Sequence, residues 1–400
     1  MKDIGDPSLP RVIGAPSLVT FQYDADVPSS WQWNAGLQMA LPWASSLDLS
    51  YVGNYGYNRL GALQGGTQQN MNQIPLGTAY LPGTTTLGPY ANYPTLLRPL
   101  QGFNSINENA TEFYDKFHSI QASFNRRFRG GLSFGANYTW SILLQGNTGL
   151  FKRLNADGST RSDWDAYQKL NKDLGGQPHV FRANVVWDLP DLVADGGAKR
   201  ALGYVLNDWQ LSSLLNLSSG TNYNVTFAYQ SAGGAVNLTG SPDYTNNNSG
   251  ARVVFNGDPG SGCSSNQYQQ FNTSVVSGPL PGSVGMESAR NMMRGCAQRD
   301  IDMSLSRNIR LGGGRALQLR FDVFNPFGIV YYTGRQAEAQ FVSPTNQSLR
   351  NDQTVGSRTT PQTAGFGAVT QSNGYNAGGT STGNNANYLR VVRFTARFSF

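Results

Sequence analysis

The sequence has no run of about 18 apolar residues, the length that a membrane-spanning helix requires. This absence argues against membrane-spanning helices and leaves membrane-spanning strands open, because a transmembrane barrel shows only segments of roughly 10 residues with alternating polarity. Charged residues are also scarce, at 14% of the chain, whereas a soluble helical enzyme of 400 residues would carry more Glu and Lys.

A signal peptide is missing from the start of the chain, where acidic residues and prolines stand in place of a basic and then an apolar region. We expect either that a signal was removed or that the chain is a fragment. Basic runs are missing as well, because the net charge of +6 is spread along the chain. We therefore predict no nucleic-acid partner.

Cysteine occurs only at Cys263 and Cys296, without a CxxC spacing, which makes a poor metal site. In an oxidising compartment the two could form a disulfide that closes one loop, and the alternative is two unpaired thiols. The sequence also lacks GxxxxGK[ST], HExxH and a GxGxxG that follows a strand, so we predict no cofactor.

The only histidines, His118 and His179, stand at the starts of two predicted strands. A catalytic Ser–His pair needs both side chains within hydrogen-bond reach. Ser119 is adjacent to His118, but neighbouring residues of a strand point to opposite faces. We interpret both histidines as interfacial residues and predict that the protein is not an enzyme.

One acidic segment, "RLNADGSTRSDWD", is a weak candidate for a Ca²⁺ site in a loop. Its oxygen-bearing side chains do not follow the alternating ligand spacing of an EF-hand, so a solvated acidic loop is the alternative. The candidate ligands are Asn155, Asp157, Asp163 and Asp165.

Glycine, tyrosine and phenylalanine are abundant, with 47, 19 and 20 residues, a composition typical of strands joined by polar loops. Apolar and polar residues alternate in nine segments, which predicts an all-β fold with nine strands. The segments are 31–41, 46–56, 117–128, 131–141, 180–190, 208–220, 299–311, 315–324 and 391–400.

Short and long connections follow one another between these strands, with long links at 58–113, 145–177, 228–297 and 328–386. This pattern is typical of a transmembrane antiparallel β-barrel, whose short turns face the periplasm and whose long loops face the exterior. The alternative is a soluble antiparallel sheet with one buried face. Aromatic residues at the strand ends favour the membrane, since such rings suit the lipid–water interface.

The polar face of the predicted strands would then line the barrel lumen. Its charged residues could contact a plug or guide an anionic solute, and cross-strand ion pairs or hydrated wall positions are the alternative. The lumen set comprises Arg127, Arg182, Asp302, Arg310, Arg320, Asp322, Arg393 and Arg397.

Several stretches occur together in one order: "WQWNAGLQMALPW", "FHSIQASFNRRFRGGLSFGANYTWS", "QPHVFRANVVWDLP", "DWQLSSLLNLSSGTNYNV", "ARNMMRG" and "LQLRFDVFNPF". In this order, with a C-terminal Phe, they resemble the barrel of Oar-like TonB-dependent outer-membrane receptors. These receptors form the branch that carries an N-terminal carboxypeptidase-regulatory-like domain and is common in Acidobacteria.

The resemblance implies a 22-stranded barrel with an internal plug, energised through TonB in the bacterial outer membrane. Residues 1–400 would be its C-terminal part, so that the plug, the TonB box and roughly 13 strands would lie outside this chain. The expected partners are outer-membrane lipid, the plug, the TonB complex and the barrel-assembly machinery. That machinery would read the terminal aromatic residues Phe394, Phe398 and Phe400.

Long loops rich in Tyr, Asn, Gly and Ser are typical of binding surfaces. The leading hypothesis is therefore a receptor that binds a large scarce solute, such as a siderophore, an oligosaccharide or a peptide, and admits it to the periplasm. The alternatives are a surface-display or adhesion protein that uses the barrel to present its loops and, less favoured, an outer-membrane hydrolase.

Overall fold

The computed structural model of the chain describes seventeen stretches of the sequence. These are residues 15–60, 69–72, 98–100, 102–111, 113–147, 173–191, 203, 206–231, 234–236, 253–278, 288, 291–313, 315–342, 346–350, 365–372, 375–376 and 390–400.

All nine predicted strands form, and they follow the alternating segments of the sequence closely. They are β1 (Ser29–Leu41), β2 (Ser45–Arg59), β3 (Phe113–Arg129), β4 (Leu132–Asn147), β5 (His179–Asp188), β6 (Trp209–Ser218), β7 (Gln298–Gly312), β8 (Arg315–Phe324) and β9 (Val391–Ser399).

These strands build one antiparallel sheet in which the order in space is the order in the chain, from β1 to β9. A tenth strand, Asp173–Gly175, pairs with β4 beside β5. Among the described residues β1 and β9 each pair on one side only, and both are widely exposed. The sheet thus has an up-and-down meander topology. We call this sheet, from β1 to β9, the wall.

Tight turns join the strands at one end of the sheet. Gly130 and Gly131, between β3 and β4, both have positive φ angles, of 60° and 76°. This is the backbone of a two-residue type I′ turn, whose twist matches that of the paired strands and which glycine adopts without a steric cost. Trp43 and Ala44 have positive φ angles of 64° and 59° between β1 and β2.

The register of the ladders places most of the apolar residues of the nine strands on one face, as the alternation predicts. Leu49 pairs with Leu37 on one side and with Ala122 on the other. At the far edge of the sheet Phe321 stacks on Phe394 with ring centroids 4.8 Å apart. Many of these apolar side chains are exposed, for example Leu37 at 57% and Phe394 at 56%. The apolar face is thus an outer surface and does not cover a core.

The buried core lies elsewhere, in the connections after β6 and β8. We call the described residues between 219 and 297 and between 325 and 376 the loop assembly. Its buried side chains are Val225, Phe227, Val253, Phe271, Met293, Ala339, Phe341 and Phe366.

Short strands hold the loop assembly together, and none of them was expected from the alternation. The longest, Thr226–Ser231, pairs in parallel with Glu338–Phe341 of the other connection and antiparallel with Gly234–Val236. The remaining pairs are Asn222–Tyr223 with Met293–Arg294, Val254–Phe255 with Val276–Ser277, and Tyr332–Arg335 with Val369–Ser372, which also pairs with Tyr375–Asn376. A 3₁₀ helix spans Thr273–Val275.

A smaller three-stranded sheet forms before β3. Leu18–Phe21 pairs in parallel with Ile106–Asn109, which pairs antiparallel with Gln69–Asn70. The buried Asn72 amide donates to the carbonyl oxygens of Leu100 and Asn104, both at 2.9 Å. Within the described ranges, no helix has the length and apolarity needed to cross a membrane.

Candidate functional site

The charged side chains predicted for the lumen share the polar face of the sheet. Arg320 pairs with Ser306 and Thr395, and Asp322 pairs with Ser304 and Arg393. These cross-strand neighbours are all polar, so the charges are not buried against a dry layer, where each would be costly.

A cavity of about 500 Å³ opens on this face over β6 to β9 and collects five of the eight predicted residues. Ser304, Gln318 and Thr395 contribute neutral polar groups, and Leu214 and Phe324 contribute apolar surface. The five charged residues are Asp302, Arg320, Asp322, Arg393 and Arg397.

One ion pair organises the centre of this cavity. The Arg320 Nε donates to Asp322 Oδ1 at 2.7 Å and lies 3.1 Å from Ser304 Oγ. Both charges lie on β8, two residues apart, and therefore on the same face. The charges of Arg320 and Asp322 therefore compensate each other within hydrogen-bond distance.

Two further arginines of β9 give the cavity its positive charge. The Arg393 guanidinium carbon lies 5.9 Å from the centre of the Phe324 ring, a cation–π geometry. Arg397 lies opposite the neutral Gln318. In the part of the chain that the structure describes, neither guanidinium lies within 4 Å of a carboxylate oxygen. The arrangement can accept an anionic group.

The other predicted lumen residues lie apart from this cavity. Arg310 lines a second cavity of about 780 Å³ toward the tight turns, which includes Asp188, Asp191 and Asp208. Arg127 is exposed near the turn end of β3. The structure therefore divides the predicted set between separate places on one face.

A polar network joins the wall to the loop assembly at the long-loop end of β5 to β7, opposite the tight turns. The Arg182 Nε donates to Asn216 Oδ1 at 3.3 Å, and the Asn216 amide donates to Asp300 Oδ2 at 3.4 Å. The Tyr331 hydroxyl donates to Asp300 Oδ1 at 2.9 Å. Burial, together with this hydrogen bond and the Asp300 charge, raises the pKa of Tyr331 to about 12. Sequence reasoning missed Asp300 and Tyr331, although Asp300 is in phase with Asp302.

Replacing Tyr331 by Phe is expected to lower the free energy of unfolding by about 1 kcal/mol near neutral pH, because one hydrogen bond is lost. A folded-state pKa above the ordinary value of 10.0 stabilises the fold below pH 10, and this stabilisation is lost as the pH rises through about 12. Thermal unfolding in detergent from pH 8 to 12 should show this loss in the parent protein and a smaller loss in Tyr331→Phe.

The neighbouring variant Tyr332→Phe is the matched control, because Tyr332 is the next residue along the chain and begins the strand Tyr332–Arg335. If both variants lose the same stability, or if Tyr331→Phe keeps the full alkaline loss, the hydroxyl of Tyr331 does not anchor the loop to the wall.

The loop assembly is fastened by a disulfide between Cys263 and Cys296, with the Cα atoms 4.9 Å apart. The bond closes a segment with a sequence separation of 33 residues, and constraining such a loop in the unfolded chain typically adds about 2 to 4 kcal/mol of stability. Cys296 is buried, and its Sγ lies 3.5 Å from Oε1 of the buried Gln270.

An aromatic and a cationic side chain meet beside this core. The Arg335 guanidinium carbon lies 5.2 Å from the centre of the Tyr223 ring, and its Nη2 donates to the Tyr332 carbonyl oxygen at 3.1 Å. Burial raises the pKa of Tyr223, and the charge of Arg335 opposes that rise. Burial also lowers the pKa of Arg335. The tyrosine remains neutral and the arginine remains charged at physiological pH.

Both histidines lie on the apolar face near the long-loop end, and neither contacts a serine hydroxyl through its ring. The Nδ1 of His118 lies 2.8 Å from the Tyr51 hydroxyl, and the Nδ1 of His179 lies 2.7 Å from the Tyr138 hydroxyl. Ser119 is fully buried on the other side of β3. Among the residues that the structure describes, no serine hydroxyl lies within hydrogen-bond distance of either imidazole ring.

The weak Ca²⁺ candidates, Asn155, Asp157, Asp163 and Asp165, lie outside the described residues. Among the residues that are described, no group of three or more His, Cys, Asp or Glu side chains is placed to hold a metal ion. Phe398 and Phe400 stack with ring centroids 6.1 Å apart at the end of β9, and Phe400 is almost fully exposed.

The sheet, its polar face and its outer apolar surface agree with a comparison against family models. Residues 5–391 match the model of a family described as an outer membrane beta barrel domain. The chain belongs to this outer membrane beta barrel family. It is accordingly a protein of the bacterial outer membrane, as the alternation of short turns and long loops predicted.

Solved outer-membrane proteins resemble this beta barrel chain distantly. The outer membrane transporter YddB from Escherichia coli has 10% identity and a TM-score of 0.34, over 84% of this chain and 32% of that one. The ferripyoverdine receptor of the outer membrane of Pseudomonas aeruginosa, bound to ferripyoverdine, has 11% identity and a TM-score of 0.32, over 79% and 26%. The chain thus spans about a third or less of these proteins. No curated protein matches it.

Proposed function

We propose that this chain is the C-terminal part of a TonB-dependent outer-membrane transporter, in which the nine wall strands belong to a closed 22-stranded barrel. Three features support the proposal: the order of motifs that resembles these receptors, the membership in an outer membrane barrel family and the polar face with its cavity. The edges of β1 and β9 that have no partner among the described residues would be satisfied by further strands, since open sheet edges are not tolerated in lipid.

The loop assembly is the observation that carries the proposal. Two long connections, after β6 and after β8, pack against one another around Phe227, Phe341 and Phe366 instead of extending separately into solvent. A parallel strand pair fixes their relative position, and a disulfide closes part of the first connection. A surface ordered in this way loses less conformational entropy on binding, which is what a high-affinity receptor for a scarce solute needs.

The polar face supplies the path from this surface to the periplasm. The cavity over β6 to β9 contains Arg393 and Arg397, and among the described residues neither guanidinium lies within 4 Å of a carboxylate oxygen. In a barrel this face lines the lumen, where a plug would fill most of the space. The solute is of siderophore, oligosaccharide or peptide class, and the arginines would attract its anionic groups.

Uptake measurements test the proposal. Cells that express the full-length protein would be given ferric siderophores, maltodextrins or short peptides, each radiolabelled, with and without a protonophore. We expect uptake of at least one of these probes to stop when the proton gradient collapses, because TonB-dependent transport draws its energy from the inner membrane. The double variant Arg393→Gln/Arg397→Gln should reduce uptake several-fold.

Arg127→Gln is the matched control for this variant, since Arg127 lies near the turn end of β3, away from the cavity. Equal uptake with and without the protonophore, for every probe, would contradict the transporter proposal. Cell adhesion in place of uptake would support the surface-display alternative, which the rigid, disulfide-fastened loop assembly also suits.

The barrel-assembly machinery is the proposed partner for insertion. Phe394, Phe398 and Phe400 lie on the apolar face of the last strand, and all three are more than half exposed. An exposed aromatic stripe at the chain end is a surface that another protein can read during assembly.

A further inference from the structure

The apolar face carries a cluster of cationic and aromatic side chains near the long-loop ends of β1 to β5. The register places Lys116, His118 and His179 on this face, on β3 and β5. None of the positions of β1 to β5 that share the face is Asp or Glu. The surface is therefore complementary to a negatively charged partner on the membrane side of the wall.

The two histidines have the same local geometry although they lie on different strands. His118 stacks on Tyr51 and His179 stacks on Tyr138, with ring centroids 6.2 Å apart in both pairs. The tyrosine hydroxyl lies at hydrogen-bond distance from Nδ1 in both pairs. Trp33 adds a second aromatic contact to His118, with centroids 6.1 Å apart.

This geometry determines what each histidine can offer to a ligand. When Nδ1 accepts a hydrogen bond from the tyrosine hydroxyl, the ring proton of the neutral imidazole lies on Nε2. Nε2 is then a hydrogen-bond donor. His179 is exposed and His118 is partly exposed, so both rings can be reached from the outside. Both histidines thus present one donor whose orientation the tyrosine holds.

Lys116 is held in the same region by two tyrosines. Its Nζ lies 5.2 Å from the centre of the Tyr55 ring and 5.4 Å from that of Tyr114. Lys116 precedes His118 by two residues on one strand face, a separation of about 7 Å. His179 lies two strands further along, about 12 Å from His118 by strand spacing and register. The donors are therefore spread over the width of one large headgroup.

The other cations that the register places on this face of β1 to β5, Arg126 and Arg129, lie at the turn end of β3. The Arg126 guanidinium, at the turn end of β3, donates to the Arg129 carbonyl oxygen at 3.1 Å and lies 3.4 Å from that of Trp43. Within the described ranges, the contacts of the Lys116 ammonium and of both histidine rings are with aromatic rings or tyrosine hydroxyls. The long-loop end of this face thus holds three donors that are separate from the two arginines of the turn end.

We propose that Lys116, His118 and His179, with the tyrosines that hold them, form a binding site for the phosphorylated headgroup of an outer-leaflet glycolipid. The site lies on the membrane side of the wall, near the long-loop end, where the headgroups of the outer leaflet lie. Phosphate oxygens accept charge-assisted hydrogen bonds from ammonium and imidazole groups. The tyrosine and tryptophan rings pack against the sugar and acyl parts, as aromatic rings do at the lipid interface.

Lipid binding to the whole protein, purified from outer membranes in a neutral detergent, tests this site. Native mass spectrometry would compare diphosphoryl lipid A, dephosphorylated lipid A and phosphatidylcholine. We expect diphosphoryl lipid A to bind about tenfold more tightly than the dephosphorylated form, since several exposed charge contacts add. The variant Lys116→Gln/His118→Gln/His179→Gln should bind both forms equally, and Lys116→Arg should keep the preference.

The control Arg127→Gln removes a cation from the opposite face and should leave the preference unchanged. A shift in electrophoretic mobility on heating would show that each variant is folded. If the parent protein does not discriminate between the two lipid A forms, or if inorganic phosphate displaces the lipid completely, the proposal is wrong. Retention of the preference in the triple variant would also overturn it.

Discussion

Leu49→Arg is expected to lower the free energy of unfolding of the membrane-inserted protein by about 2 to 4 kcal/mol, the usual cost of arginine on a lipid-facing strand near the bilayer centre. Leu49 lies on the apolar face between Leu37 and Ala122, and it is 38% exposed although no polar group lies beside it in the register. Lipid is the environment that makes such exposure favourable for leucine and costly for arginine.

Ser50→Arg is the matched control, because Ser50 is the next residue of β2 and points to the polar face. It pairs with Gly36 and Gln121, and Asp48 lies two residues away on the same face. We expect a change below about 1 kcal/mol. Urea titrations of the protein folded in phospholipid vesicles would measure both values, and equal losses for the two variants would disprove that only one face contacts lipid.

Phe341→Ala is expected to destabilise the loop assembly by about 3 to 5 kcal/mol, because it removes a fully buried aromatic side chain and leaves a cavity. The Phe341 ring lies 6.2 Å from that of Phe227, so the substitution separates the two connections at their contact. Hydrogen exchange should accelerate in Thr226–Ser231 and Glu338–Phe341, whereas β2 and β3 should keep their protection.

Val342→Ala is the matched control, since Val342 follows Phe341 but is 43% exposed, and we expect it to cost less than about 1 kcal/mol. Unchanged exchange in Phe341→Ala would mean that the two connections do not share a core. Faster exchange in the wall as well would mean that the loop assembly and the sheet unfold together. Solute binding should weaken in Phe341→Ala if the loop assembly is the receptor surface.

The strands of the wall could be predicted from the sequence because the alternation that marks them involves residues that are close together in the chain. Side chains alternate between the faces of a strand, so a stripe such as Leu47, Leu49 and Tyr51 needs no distant partner to be recognised. The same alternation placed Arg320 and Asp322 on the polar face, and "RGG" marked the turn at Gly130 and Gly131. All nine strands formed as predicted, in chain order, because each short or moderate link joins neighbours.

The loop assembly could not be predicted in this way. Phe227 and Phe341 are more than a hundred residues apart, and neither belongs to an alternating segment. Their contact depends on a parallel pairing of short strands, which carries no periodic signal. The disulfide stayed an open alternative for the same reason, since the spacing of Cys263 and Cys296 does not show that the two are close in space.

The sequence by itself determined the all-β class, the two faces of the wall and the location in the outer membrane, because these follow from a period of two residues and from the lengths of connections. The tertiary structure alone decided which polar residues share a cavity, how two histidines meet two tyrosines and where a buried core forms. These depend on register and on contacts between distant segments, and such contacts are set by packing, which local pattern does not encode.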